Sequence, residues 1–192
     1  MNENNHIPRV LQVFTTLERG GSETMIMNYY RHIDRTKIQF DFLVHRQGKG
    51  AYEDEIENLG GRIFRMPFIN PLFPQKYFKT LEIFFNKNND YKVIHAHINT
   101  FSRYPLKIAK KSGIKCRIIH AHTTTIPVGL SMLLKNPLEV FKIIFNELQK
   151  QGVSKYATHK FSCGQKAGEW LYGKDNNFEI VNNESPLKTP FS

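Results

Sequence analysis

The sequence predicts a doubly wound α/β domain, a Rossmann-like parallel sheet with helices on both faces. Three observations carry that prediction. The stretch Arg9–Asn28, RVLQVFTTLERGGSETMIMN, reads as a buried strand, a short loop with Gly20 and Gly21, and a helix. Short apolar runs then alternate with helical patterns to Val181, as a parallel sheet built from right-handed crossovers requires. Finally, 192 residues of which 40% are hydrophobic suffice for one core, with no internal repeat or low-complexity stretch.

Taken in order, Val10, Leu11, Val13 and Phe14 form the apolar run of a strand covered on both faces. Ser22 is the expected N-cap of the first helix, with Glu23 in its first turn. Ile38–His45 alternates, placing Ile38, Phe40, Phe42 and Val44 on one face. An acidic helix, Tyr52–Leu59, is stopped by Gly60-Gly61, and Arg62–Met66 is a third strand. The loop Pro67–Pro74 has three prolines, yet it carries Phe68, Ile69, Leu72 and Phe73, a greasy contact surface if exposed. A helix over Lys76–Asn86 precedes a fourth strand, Tyr91–His97. Phe101–Lys111 is helical and closed by Gly113, and Lys115–Ala121 is the fifth strand. After a long loop, His122–Pro137, Leu138–Lys155 is a helix with Leu138, Phe141, Ile144, Phe145 and Leu148 at helical spacing. A sixth strand (His159–Cys163), a short helix (Lys166–Tyr172) and a last strand (Phe178–Val181) complete the pattern.

Composition narrows the function. The 27 basic against 17 acidic residues give a net charge of +10, which suits an anionic partner: nucleic acid, a phosphorylated substrate or an acidic membrane surface. Nucleic acid is disfavoured, since no helix-turn-helix, RRM or zinc-finger signature is present. Cys116 and Cys163 lie far apart and read as free thiols of a reducing cytoplasm. The N-terminus lacks the apolar stretch of a signal peptide, and no run approaches the ~20 apolar residues of a spanning helix.

In an open α/β sheet, ligands bind beyond the carboxyl ends of the strands where strand order reverses. With an order of 3-2-1-4-5, that crevice lies between the first and fourth strands. Gly20-Gly21, His97-Ile98-Asn99 and His122-Thr123-Thr124 then meet at one edge. Glycines allow close approach to the backbone, and the helix N-terminus behind them favours an anion such as phosphate. Arg19 flanks that loop. His95 and His97 share one strand face, as do His120 and His122. Four imidazoles on neighbouring strands suggest zinc, but Ile98 and Asn99 stand where accompanying carboxylates would be, so no metal is expected. His95 and His120 are expected to be core histidines bonded to neighbours, and His97 and His122 to be functional.

The run Glu18-Arg19-Gly20-Gly21-Ser22-Glu23-Thr24 between strand and helix, leading into Asn28-Tyr29-Tyr30, resembles the opening of family-4 retaining glycosyltransferases of bacterial exopolysaccharide and capsule clusters. No G-x-G-x-x-G follows the strand, which disfavours a nicotinamide enzyme. The resemblance covers residues 9–183 and implies the N-terminal, acceptor-side half of a GT-B fold. It also implies transfer of a sugar from a nucleotide-sugar to a glycan acceptor carried on a lipid, with no other cofactor. His97 in HAHIN matches the family's active-site histidine, and His122 in AHTTT matches a cleft-lining turn with Thr123 and Thr124. Gly20 and Gly21 would stabilise the departing diphosphate, and Asn99 would line the same cleft. The resemblance places the enzyme in the cytoplasm, peripheral to the inner face of the membrane; Lys107, Lys110, Lys111, Lys115 and Arg117, and the segment Thr125–Lys135, are candidate contacts with anionic lipid. The family's chain continues into a second, donor-binding domain. Here Glu184–Ser192 reads as a frayed, proline-broken tail, so the chain is expected to be truncated and inactive alone, completed at most by a separately encoded donor domain. The rival expectation is a non-catalytic module that binds a membrane or partner.

Overall fold

The structure, a computed structural model, describes residues 7–122, 137–174 and 177–181. Thr123, Thr124, the segment Thr125–Lys135 and the expected tail at 184–192 lie outside the described residues. The elements follow the predicted alternation. They are β1 (Arg9–Phe14), α1 (Gly21–His32), β2 (Gln39–Val44), α2 (Glu53–Asn58), β3 (Ile63–Arg65), α3 (Gln75–Lys87), β4 (Val93–Ala96), α4 (Arg103–Lys111), β5 (Cys116–Ala121), α5 (Pro137–Tyr156), β6 (His159–Ser162), α6 (Gln165–Tyr172) and β7 (Glu179–Ile180).

Among the described residues the strands form one seven-stranded, wholly parallel sheet in the order β3-β2-β1-β4-β5-β6-β7. The chain winds outward from β1 to β3, then returns across β1 to β4 and onward. The reversal leaves a crevice between β1 and β4, at the carboxyl ends of both.

The winding also divides the core. Val10, Phe14, Phe40, Phe42 and Val44 pack with Met25, Ile26, Met27 and Tyr30 of α1 and Ile56 of α2. Leu11, Val13, Leu43, Ile94, Ala96, Ile119 and Ala121 point to the opposite face, against α3 and α4 and residues of α5 and α6. Alternate residues of a strand face opposite ways, so Gln12, His95, His97, His120 and His122 belong to the first face, alongside Val10 and Phe14. They are the polar continuation of an apolar surface.

At the amino edge of the sheet a buried carboxylate ties four segments together. Asp41 accepts from Arg9 Nε at 2.7 Å and Nη2 at 2.6 Å, from Arg62 Nε at 3.0 Å and Nη2 at 2.6 Å, and from the Tyr91 hydroxyl at 2.5 Å. Burial alone would raise its pKa; the bonds from Arg9, Arg62 and Tyr91 outweigh that and hold it at about 2.

Several local expectations are corrected. α1 begins at Gly21 with Gly20 as its N-cap, so Ser22 falls inside the first turn and its hydroxyl donates to Glu23 Oε2 at 2.7 Å. A short 3-10 turn, Asn99–Ser102, precedes α4, with Asn99 at φ 45°. Leu148 is exposed although it belongs to the expected apolar stripe, while Gln149 is buried and accepts from Arg103 Nη1 at 3.0 Å. The glycine stops hold: Gly60 and Gly113 adopt φ +88° and +81° after α2 and α4, where a side chain would be strained.

Candidate functional site

β1 ends at Phe14, and the loop to α1 is held in place before it reaches the glycines. The Thr15 carbonyl accepts from His45 N at 3.2 Å and Arg46 N at 3.0 Å, and the Leu17 carbonyl accepts from Tyr52 N at 3.0 Å. Gly50 lies so close to the Leu17 backbone that a Cβ there would be 2.8 Å from its carbonyl oxygen. Gly20 N donates to the Glu18 carbonyl at 2.8 Å, and Gly20 O accepts from Thr24 N at 2.9 Å. Gly21 and Arg19 are exposed. The Glu23 carboxylate lies where a Cβ on Gly20 would be, so the helix N-terminus is faced by its own acid. What crowds the loop at that point is a flexible side chain, not backbone.

Across the crevice, β4 and β5 deliver the four histidines. Their rings form one cluster: centroids are 4.0 Å apart for His95 and His97, which are tilted, 4.2 Å for His120 and His122, which stack, and 5.1 Å for His97 and His122, again tilted. Phe14 lies flat on His97 at 4.3 Å, and Phe161 meets His95 and His120 edge-on. His97 Nδ1 and His122 Nε2 are 2.8 Å apart, and His97 Nε2 is 3.0 Å from Gln12 Oε1. Ring nitrogens of His95, His97 and His120 come within 4.8 Å of one another, the closest approach to a metal-ligand set among the described residues.

Burial sets the charge of the cluster. It lowers His95 to about 3, His120 to about 2 and His122 to about 4, and puts His97 well below the ordinary imidazole value. Neighbouring imidazoles reinforce the shift at His95, His97 and His120, and a Val181 backbone contact opposes it at His120. All four are therefore neutral near pH 7. A neutral imidazole of such low basicity is a poor proton abstractor, but it still donates and accepts hydrogen bonds in fixed directions.

The sequence placed His97 and His122 correctly at one edge, and the structure joins them directly. Asn99 follows β4 at the same edge, and the glycine loop follows β1. His95 and His120 are buried, as expected of core histidines, but only partly bonded. His95 Nε2 and both nitrogens of His120 lack a well-formed hydrogen bond among the described residues, their nearest neighbours being ring faces and, for His120, the Val181 backbone. Gln12 and Phe14 were missed as site residues. The available signal was a lone glutamine inside an apolar strand, a position that must find a partner.

The basic cluster lies elsewhere. Lys111 pairs with Glu82 at 2.8 Å, and Arg117 bonds the carbonyls of Tyr156 and Ile114. The end of α4 and the start of β5 are at the amino edge, away from the crevice. An apolar cavity of about 240 Å³ does adjoin the crevice, lined by Thr15, His45, Phe68, Ile69, Ile98 and Phe101. His45 is held at its wall, with Nδ1 bonded to the Phe14 carbonyl at 2.8 Å and Nε2 to the Tyr77 hydroxyl at 3.0 Å. Phe68 at the cavity wall, and Leu72 and Phe73 beyond it, are 66%, 61% and 70% exposed. Among the described residues no helix is long and apolar enough to cross a membrane.

No family model matches the chain. It is 34% identical over 168 residues to the protein named glycosyltransferase EpsF of Bacillus subtilis (strain 168), a match covering 88% of this chain and 42% of that protein. It is 28% identical over 116 residues to the capsular polysaccharide biosynthesis glycosyltransferase CapH of Staphylococcus aureus, covering 60% of this chain and 31% of that one. The chain thus spans less than half the length of the curated relatives it matches. Among solved structures, Acinetobacter baumannii MurG superposes with a TM-score of 0.57 at 8% identity, covering 91% of this chain and 45% of MurG. Anabaena HepE, solved with UDP and glucose, gives 0.57 at 13%, covering 93% and 44%. A Listeria monocytogenes protein described as a UDP-N-acetylglucosamine 2-epimerase gives 0.56 at 13%, covering 88% and 43%. Identities this low establish a shared fold alone, and that fold serves more than one chemistry.

Proposed function

We propose, for a chain whose homologues are glycosyltransferases and whose fold is one Rossmann-like half of the GT-B architecture, that it forms the acceptor side of a sugar-transfer site. The full enzyme moves a sugar from a nucleotide-sugar donor onto a bacterial surface glycan carried on a lipid. The observation that supports this most is the bonded His97–His122 pair, at the same sheet edge as the Gly20-Gly21 loop and at the β1/β4 reversal.

In this reading the nucleophile is an acceptor hydroxyl. His122 orients it, held in turn by His97, and low basicity suits the pair to holding a hydrogen bond rather than stripping the proton early. The backbone N–H of Gly21 at the helix N-terminus, with Arg19, meets the diphosphate charge that grows as the donor bond breaks, while the Gly20 N–H is taken by the Glu18 carbonyl and the glycine leaves the approach clear. Asn99 lines the acceptor. The apolar cavity beside Ile98 takes the first part of the lipid carrier, and Phe68, Leu72 and Phe73 rest at the surface of the inner membrane leaflet. A donor-binding domain is required, on the same polypeptide or encoded separately, because the reacting atoms must come within about 3–3.5 Å across the cleft.

The experiment is to mix the chain with the donor domain of a full-length relative and assay transfer from nucleotide-sugar to lipid-linked acceptor, with each part alone as control. Transfer by the mixture alone, lost in His97→Ala, is expected. Transfer that is indifferent to His97→Ala would remove the site from this cleft.

A further inference from the structure

We infer that Gln12 is a positioning residue whose side-chain carbonyl fixes the tautomer of His97, so that the open lone pair of the His97–His122 pair sits on His122 Nδ1. Gln12 is 1% exposed, in the middle of β1, directly across from His95 in the sheet register. A buried amide without partners is destabilising, so its place in an apolar strand needs a reason. Its Oε1 faces His97 Nε2 at 3.0 Å, and Phe14 keeps the imidazole flat in that direction.

The protons then follow by counting. A carbonyl oxygen only accepts, so His97 Nε2 carries the hydrogen. His97 is neutral and has a single N–H, so its Nδ1 is a bare lone pair. That lone pair lies 2.8 Å from His122 Nε2, which therefore donates. His122 is neutral as well, so its Nδ1 is bare, and it has no hydrogen-bond partner among the described residues. The polar group left unpaired is a buried acceptor on His122, while both nitrogens of His97 are committed. With the amide turned round, every proton reverses and His122 Nδ1 becomes a donor. Gln12 thus sets whether the pair receives a hydroxyl hydrogen or offers one. The importance of that choice for sugar transfer rests on the acceptor-side reading above; the tautomer itself does not.

The test uses the full chain labelled with ¹⁵N and long-range ¹H–¹⁵N correlation of the imidazole nitrogens near pH 7. Both His97 and His122 are expected as Nε2–H tautomers with bare Nδ1. Gln12→Met removes the acceptor and is expected to give His97 as a mixture of tautomers, with the circular dichroism spectrum unchanged. Gln12→Glu, which keeps an accepting oxygen, is expected to restore the Nε2–H form and to raise the pH at which His97 titrates by one unit or more, since a carboxylate favours imidazolium. His97 found as Nδ1–H in the unaltered chain, or a Gln12→Met spectrum identical to it, overturns the inference. If Gln12→Met does not fold, an unshifted His97 titration in Gln12→Glu overturns it instead. A failed transfer assay with these spectra as expected would fault the functional reading and leave the tautomer assignment standing.

Discussion

The rings of His95 and His120 stack across β4 and β5 with centroids 5.5 Å apart and planes 15° from parallel. Burial holds His95 at about 3 and His120 at about 2, so neither takes up a proton in the folded chain until strong acid. Unfolding returns both to the ordinary value near 6.5, where the unfolded chain binds protons that the folded chain refuses. Their contribution is therefore full above about pH 6.5 and is lost as the pH falls, each removing about 1.4 kcal/mol per pH unit. We expect acid unfolding to begin near pH 6, ahead of the carboxylates, when followed by circular dichroism. His95→Phe should move the midpoint to lower pH; an unmoved midpoint would show that these rings are not what refuses the protons.

The clamp around Asp41 gives a second expectation. Asp41→Asn leaves Arg9 and Arg62 facing a neutral amide in place of a fully buried carboxylate. Breaking a buried pair costs about 3–5 kcal/mol, and the partial exposure of Arg62 places this case at the lower end. Urea unfolding at pH 7 measures it. Because the folded carboxyl is depressed to about 2, its contribution is present above its ordinary value and disappears only as the pH falls toward 2.

For metal, we expect the purified chain to hold no stoichiometric zinc. Three imidazole nitrogens lie within 4.8 Å, yet both nitrogens of His97 are already bonded, and the histidine cluster contains no carboxylate to offset a buried dication. Elemental analysis settles the matter. One zinc per chain, lost in a His97→Ala, His120→Ala double variant, would reverse this expectation.

A fourth expectation concerns the loop after β3. Phe68, Leu72 and Phe73 are exposed, and Lys76 and Lys79, which follow in α3, are exposed too. Apolar and basic groups in close succession suit an anionic bilayer surface. Sedimentation with phosphatidylglycerol vesicles should retain the chain, and Leu72→Ser with Phe73→Ser should reduce binding about tenfold or more. Equal binding by both proteins would place the lipid contact elsewhere.

Much of the fold was legible in the sequence because its signals are local. Apolar runs, helical spacing and glycine stops fix the elements, and their alternation fixes a parallel sheet. The edge carrying Gly20, His97 and His122 followed from strand ends alone. What was not legible depends on lateral distance. Period two places His95 and His120 on one face, but it does not say that each would find rings rather than donors beside it. The role of Gln12 needs the same information, since its partner is 85 residues away in the chain. The shifted cap at Gly20 and the turn at Asn99 reflect loop geometry that residue preference underdetermines. Thr123 and Thr124 lie outside the described residues.

The position of the Asp41 clamp has a consequence for how such proteins diversify. Arg9, Asp41, Arg62 and Tyr91 secure the amino edge of the sheet, whereas the glycine loop, Asn99 and the histidine pair occupy the opposite edge. Substitutions far apart and without shared partners act almost independently on stability. Drift in the crevice can therefore retune what binds there while the anchorage of the strands goes unchallenged. A lineage holding this arrangement can explore new ligands by single changes, each tolerated by the framework before it is useful.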